Sequence, residues 1–218
     1  INARKMRCIS QRDLCRMVEG KVSPTAIAKY EKGLMMPSSD VLVVLSQALN
    51  MKLDYFFRPF TVAIDSSKFE FRKSSSMGAK KVEAVKCLVC SEIEKYVEIE
   101  SILGSSPAMS LDYSNTLVET DGEAILMALR FRRDMNIGLD AIASVVELLE
   151  SAGVKIIEID HDRSFSGTCN KAGGMPVIVI NRNMPSERKR ITILHELGHL
   201  LMHCAEGVDK EKMCTVFA

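Results

Sequence analysis

Apolar positions along the chain recur first at helical spacing. "SQRDLCRMV" opens with Ser10, a good N-cap, and sets Leu14, Met17 and Val18 on one face. "SPTAIAKYEKG" has Ser23 as cap and Pro24 at the first helical position, and Gly33 stops it. After "MMP", the stretch "SSDVLVVLSQAL" predicts another capped helix, with Val41, Leu42, Leu45 and Leu49 facing inward, and "DYFFRPF" supplies an aromatic plug. Residues 61–79 are strand-like at most and then rich in Ser, Gly and Lys, which reads as a linker. From 80 to 103 the helical period returns at Val82, Val85, Leu88, Val89, Ile93, Val97 and Ile102.

A third region mixes periods. "DGEAILMALRFRRDMN" and "LDAIASVVELLESAG" predict two helices, with Gly153 as a natural C-cap of the second. "VKIIEID" and "MPVIVINR" predict strands from their β-branched content. "SERKRITILHELGHLLMHC" then predicts one long helix opened by Pro185 and Ser186. The organisation that follows is a domain over 1–60, a linker and connecting helix over 61–105, and a second domain over 106–218.

Composition adds three constraints. A hydrophobic share of 47% and a charged share of 26% are those of a folded chain rather than a disordered one. The net charge of +1 is uneven, because residues 1–60 hold ten Lys/Arg against five Asp/Glu. A basic front end on a slightly acidic body points to nucleic acid as a partner of the first domain only. Seven scattered cysteines suit a reduced, cytoplasmic setting rather than a disulfide framework, and no apolar run approaches the ~18 residues of a membrane span.

Chemistry concentrates in "HELGHLLMH" at 195–203. His195 and His199 are four apart, so a helix puts both imidazoles on one face, within reach of one ion. Glu196 beside them suits a general base toward water that a metal makes nucleophilic at neutral pH. The apolar flanks "ITIL" and "LL" bury this helix, and Gly198 leaves room against a neighbouring strand or a substrate. His203 stands about 12 Å along the axis from His195, too far for a single ion with Zn–N bonds of ~2.0–2.1 Å on an unbroken helix. That assigns His203 to a supporting or packing place. A third ligand must come from elsewhere, and "EGVDKEKMCTVFA" turns at Gly207 and offers Asp209 or Glu211. Such a set takes Zn, with Mn or Fe also possible by ligand type.

Other candidates have plainer readings. "PVIVINR" fits either an edge strand that pairs with an extended substrate or an ordinary core strand. Cys87 and Cys90 in "CLVC" read as core thiols, Cys169, Cys204 and Cys214 as small packing residues, and His161 as a solvated loop histidine.

The front end carries a resemblance. "ISQRDLCRMV…VSPTAIAKYEKGLMMPSSDVLVVLSQALNMKLDYFF" resembles the Cro/repressor-type (Xre-type) helix-turn-helix across nearly all of 1–58, through Ser10-Gln11, Leu14, Val22-Ser23, Ile27, Tyr30-Glu31, Gly33, Pro37, Leu42 and Leu45. Two departures are a first helix cut to "NARKM" and a turn "EGKV" about two residues longer than usual. The resemblance implies an all-α, lambda-repressor-like domain that binds double-stranded DNA, commonly as a dimer. Its second helix, Ser23 to Lys32, would enter the major groove. Gln11 would touch backbone or a base edge, Thr25, Ala26 and Lys29 would face bases, and Lys29 and Lys32 would neutralise phosphates. Ser23 belongs to the same contact surface, whereas Tyr30 and Glu31 would pack and bond within the domain.

The back end resembles a second family. "RRDMNIGLDAIASVVELLESAGVKIIEID…FSG…PVIVINRNMPSERKRITILHELGHLLMH…EKMCTVFA" is similar to the ImmA/IrrE metallopeptidases over about 120–218, and "FEFRKSSSMGAKKVEAV…EIEKYVEIESILG" to the joining segment of fused members. This implies an α+β, zincin-like zinc endopeptidase that cleaves a repressor or other regulatory protein. It also selects Glu211 as third ligand, with Glu196 catalytic, and implies a further apolar continuation past Ala218, which would leave this domain truncated. The rival reading is a DNA-binding regulator whose peptidase-like domain only senses or docks a partner.

Overall fold

The computed structural model describes residues 1–58, 78–105, 113, 116–161, 165–172 and 174–218, so most of the expected linker lies outside the described residues. The chain divides into two compact units. Among described residues the first holds those up to 58 and the stretch to Glu94, and the second holds the rest. The helix expected as a connector is therefore shared between them. No described helix is long and apolar enough to cross a membrane, and no described cysteine pair forms a disulfide.

The first unit is all helical. Its elements are α1 (Asn2–Met6), α2 (Gln11–Met17), α3 (Pro24–Glu31), α4 (Ser39–Leu49), a 3-10 turn over Leu53–Phe56 and the first part of α5 (Ala79–Leu103). Local chemistry sets the starts of α2 and α3. Ser10 accepts from the Asp13 amide while the Asp13 carboxylate accepts from the Ser10 amide, a reciprocal cap on α2. Ser23 caps α3 from one side only, by accepting from the Ala26 amide, with Pro24 at the first helical position. The long turn between them is made by Glu19 and Gly20, both left-handed at φ 54° and 73°.

Ala3, Leu14, Val18, Val22, Ile27, Leu45 and Leu49 form the core of this unit. Met17, expected inside, is exposed. The helix ends at Met17, and Val18 in the cap takes the inward place. Beside this core the Glu31 carboxylate receives two bonds from Arg4 at 2.7 and 2.9 Å, and one from Gln11 at 2.7 Å. One acidic group thus ties α1, α2 and α3 together.

The second unit is α+β. A three-stranded sheet has the order β2 (Lys155–Ile159), β4 (Met175–Asn181), β3 (Gly167–Ala172), with β2 parallel and β3 antiparallel to β4. The remaining helices are α6 (Asp121–Asp134), α7 (Val145–Ser151), α8 (Ser186–Leu201) and α9 (Lys210–Phe217). Two short strands, β1 (Leu117–Val118) and β5 (His203–Cys204), pair in parallel. Val154, Ile156, Ile178 and Ile180 from the sheet, Ile193, Leu197 and Leu201 from α8, and Met213 and Phe217 from α9 share one core with α6 and α7.

Several elements differ from expectation. "PVIVINR" is the central strand β4, so the edge-strand reading fails and the core reading holds. Strand β3, "GTCNKA", has only one β-branched residue and is extended because β4 pairs with it along six positions. The helix expected from Leu139 begins only at Val145. Arg132 donates to the Gly138 and Asp140 carbonyls and Arg190 to those of Ile142 and Ala143, which holds the preceding backbone out of a helical ladder until Ser144 caps α7. The long helix α8 ends at Leu201, because Met202 turns extended and feeds β5.

The last part of α5 is anchored electrostatically within the second unit. Glu100 on α5 bonds the buried ammonium of Lys155 on β2. That ammonium also lies 4.9 Å from the centre of the Tyr96 ring. The Tyr96 hydroxyl donates to Glu150 at 3.1 Å, and burial, with Glu150 adding to it, pushes its pKa up to about 12. Lys155 and Glu100 need each other, since either one alone would be a buried, uncompensated charge.

Glu31 gives this fold a pH signature. Burial would raise its carboxyl, but the bonds from Arg4 and Gln11 outweigh that and hold it below its ordinary 4.5. A depressed acid stabilises the fold above its unfolded pKa and loses that contribution as pH falls through the folded value. Glu31→Gln is therefore expected to flatten the acid limb of stability, with wild type and variant converging as pH drops below about 4. Urea midpoints from neutral to acid pH check this; parallel curves for the two proteins would contradict it.

Candidate functional site

Helix α8 buries Ile193, Leu197 and Leu201 in the core of the second unit and turns His195 and His199 to the opposite side. The two rings are 4.8 Å apart at 79°. Helix α9 lies close against them because position 198 is glycine. A Cβ there would meet the Cα and Cβ of Cys214 at 3.3 Å and the Met202 methyl at 3.2 Å. The room at Gly198 is thus filled by α9, where a strand or substrate had been expected.

Gly207, at φ 85°, turns the chain back after β5. Asp209 then caps α9 by accepting from the amides of Glu211 and Lys212. One of the two carboxylates offered by the sequence is spent on the helix end, and the other, Glu211, reaches the histidines. Its Oε2 lies 3.2 Å from His195 Nε2 and 3.5 Å from His199 Nε2, while the two Nε2 atoms are 3.1 Å apart.

This triangle can be tested against a metal. Ligands at ~2.0–2.1 Å from a tetrahedral zinc stand roughly 3.3–3.4 Å from one another. The three edges fit that size, and two imidazole nitrogens with one carboxylate oxygen are a donor set that zinc takes. His195, His199 and Glu211 are the only such cluster among the described residues.

The far sides of both rings also have partners. Thr215 Oγ1 lies 3.3 Å from His195 Nδ1, and Cys214 Sγ lies 3.0 Å from His199 Nδ1. Neither was picked out in the sequence, where Cys214 read as packing. The signal was there, since 214 and 215 follow Glu211 by three and four positions and share its helix face. His203, by contrast, sits exposed on β5 and supports neither ring. His161 is half-buried and packs edge-on against Phe165 at 5.7 Å, rather than being solvated.

Glu196 is buried at 7% exposure, where α8 passes the start of β3. Gly167 makes that passage possible. A Cβ on it would come within 2.7 Å of the Thr192 methyl, 3.1 Å of the Val179 carbonyl and 3.5 Å of Glu196 Cγ.

In the first unit, Ser23, Thr25, Lys29 and Lys32 are exposed on and around α3. Ala26 is half-buried and packs on the core, and the Gln11 amide is engaged with Glu31. Tyr30 packs and Glu31 bonds within the unit, as the resemblance implied.

Comparison with known families matches two segments. The family described as Helix-turn-helix matches residues 2–56, and the peptidase M78 family described as IrrE N-terminal-like domain matches 149–216. The chain joins a helix-turn-helix to an IrrE-like domain. No curated protein and no solved structure matches it. The helix-turn-helix match of this fusion runs from α1 through the 3-10 turn. The IrrE-like match takes in the whole three-stranded sheet, both histidines, Glu196 and Glu211.

Gly167 provides a direct check on how the IrrE-like domain is packed at Glu196. Gly167→Ala is expected to cost about 1–3 kcal/mol through overpacking against Thr192 and the Val179 carbonyl. Trimming the neighbour, as Gly167→Ala with Thr192→Ser, should recover part of it. Chemical denaturation of both variants decides the matter, and a single variant as stable as wild type would refute the close approach.

Proposed function

We propose that the fusion is a cytoplasmic DNA-binding transcriptional regulator whose IrrE-like domain is a zinc-dependent endopeptidase acting on a repressor or related regulatory protein. The observation that carries this reading is the triangle of two Nε2 atoms and one carboxylate oxygen at tetrahedral spacing, with Glu196 on the same helix turn. The domains run over 1–60 and 106–218, joined by 61–105. His195, His199 and Glu211 would hold the ion, and Zn, or else Mn or Fe, suits these donors. When bound, the ion supplies Lewis acidity toward water and the peptide carbonyl.

This chain's residues do the rest. Glu196 takes a proton from water onto its carboxylate as the water oxygen adds to the peptide carbon. It then returns that proton to the amine nitrogen as the C–N bond breaks. Its burial keeps competing solvent away and strengthens each charge interaction it makes. Strand β3 is an edge of the sheet and lies beside Glu196, so an extended substrate segment would pair along it rather than along β4. On the DNA side, Lys29 and Lys32 would neutralise phosphates while Thr25 and Ser23 meet the groove, in a protein acting as a dimer.

Two experiments test the two halves. Glu196→Gln is expected to keep full zinc content and lose cleavage of the cognate regulator by at least ~100-fold, the usual worth of a general base. Glu211→Ala should release zinc while His203→Ala keeps it. Zinc lost only with His203, or cleavage undiminished without Glu196, contradicts the assignment; zinc binding with no cleavage by the wild type selects the docking role instead.

For the front end, Lys29→Glu is expected to weaken duplex DNA binding at low salt by ~10-fold or more and to lower the slope of log affinity on log salt by about one. Fluorescence anisotropy over a salt series measures both. Unchanged affinity would remove α3 from the groove.

A further inference from the structure

We infer that Thr215 and Cys214 are positioning residues for the metal site: from α9 they hold the Nδ1 sides of His195 and His199, so that both Nε2 atoms face one ion. The inference rests on the metal-site reading above and assigns work to two side chains outside the ligand set.

The hydrogen-bond arithmetic at Thr215 is restrictive. A hydroxyl has one proton to give. Thr215 Oγ1 lies 2.9 Å from the Glu211 carbonyl oxygen, which can only accept, and 3.3 Å from His195 Nδ1. With the hydroxyl proton on the Glu211 carbonyl, Thr215 presents a lone pair to Nδ1, and Nδ1 must carry the imidazole proton. A neutral ring protonated at Nδ1 has its lone pair on Nε2, the atom that faces Glu211 and His199. Free imidazole side chains favour the opposite tautomer, so a partner at Nδ1 is needed to hold the ring ready for a cation.

Cys214 plays the corresponding part for His199. That ring is nearly sealed, with its side chain 3% exposed, so no solvent can satisfy Nδ1. The sulfur, itself fully buried, is 3.0 Å away, and with the Nδ1 proton directed at it the Nε2 lone pair is left for the ion. The placement depends on Gly198, where a side chain would push against the Cys214 backbone. Glu211, Cys214 and Thr215 occupy positions i, i+3 and i+4 of one helix, so a single docking event delivers one ligand and both ring holders.

The test uses the full chain and zinc itself. Thr215→Val keeps the shape and removes the partner, Cys214→Ala removes the sulfur, and Thr215→Ser and Cys214→Ser keep a hydrogen-bonding atom. Zinc affinity by chelator competition is expected to fall roughly 10–100-fold in the first pair and to be largely retained in the second. In metal-free Glu211→Ala protein with neutral rings, where no carboxylate competes for a proton on Nε2, imidazole 15N shifts should report His195 protonated at Nδ1, and adding Thr215→Val should move it toward the Nε2 form. Equal zinc affinity together with an unchanged tautomer in Thr215→Val would overturn the inference. Should the wild type bind no zinc, the metal reading falls, and the tautomer comparison still decides: a shift upholds the positioning role and no shift removes it.

Discussion

The approach of α9 to α8 at Gly198 is the constraint on which the second unit's chemistry depends. In the proposed metal site two histidines on one helix are not enough, and a carboxylate has to come to them on another element. A Cβ at position 198 would stand 3.3 Å from Cys214 Cα, tighter than ordinary contact, and that closeness lets Glu211 span to both Nε2 atoms. The buried apolar residues of α9, Met213 and Phe217, hold the helix there, with Phe217 tilted against Phe131 of α6 at 6.2 Å. Core packing and ligand placement are thus one arrangement seen from two sides of the same short helix.

What was legible in the sequence was local. The serine caps of α2 and α3, a proline at the first helical position and the i, i+4 histidine pair are statements about neighbouring residues and stand as read, whereas Ser38 opens α4 without a side-chain cap bond. Glu211 was one of two carboxylates until the resemblance chose between them; the structure gives the other, Asp209, a role as helix cap. Long-range features were not legible. Nothing in "GTCNKA" says strand, because its extended form comes from β4, and nothing around 139–144 says that two distant arginines will occupy its carbonyls. Cys214, three positions after Glu211, read as a small packing residue and is buried in the core, but its contact with His199 across the helices was not legible.

The first unit organises its charges by the same economy. Glu31 could have been an exposed acidic group on the helix proposed to face DNA, where it would repel phosphate. Arg4 and Gln11 instead draw it inward, leaving Lys29 and Lys32 as the exposed charges near the end of α3. The same arrangement engages the Gln11 amide, so any base contact by Gln11 would have to compete with a bond to a carboxylate. On the proposed DNA-binding role, readout by α3 would fall chiefly to Thr25 and the lysines, a set better suited to backbone contact than to discrimination among bases.

Every group discussed around the triangle, from His195 to Thr215, lies in one uninterrupted stretch of chain, with only β5 and a glycine turn between its two helices. Such a stretch behaves as a cassette. On the proposed reading, the sheet edge beside Glu196 could be resculpted for a new recognition sequence while the donors keep their mutual spacing, so long as α9 keeps its contact with Phe131 of α6. Divergence in what such a domain recognises is thereby uncoupled from the chemistry it carries.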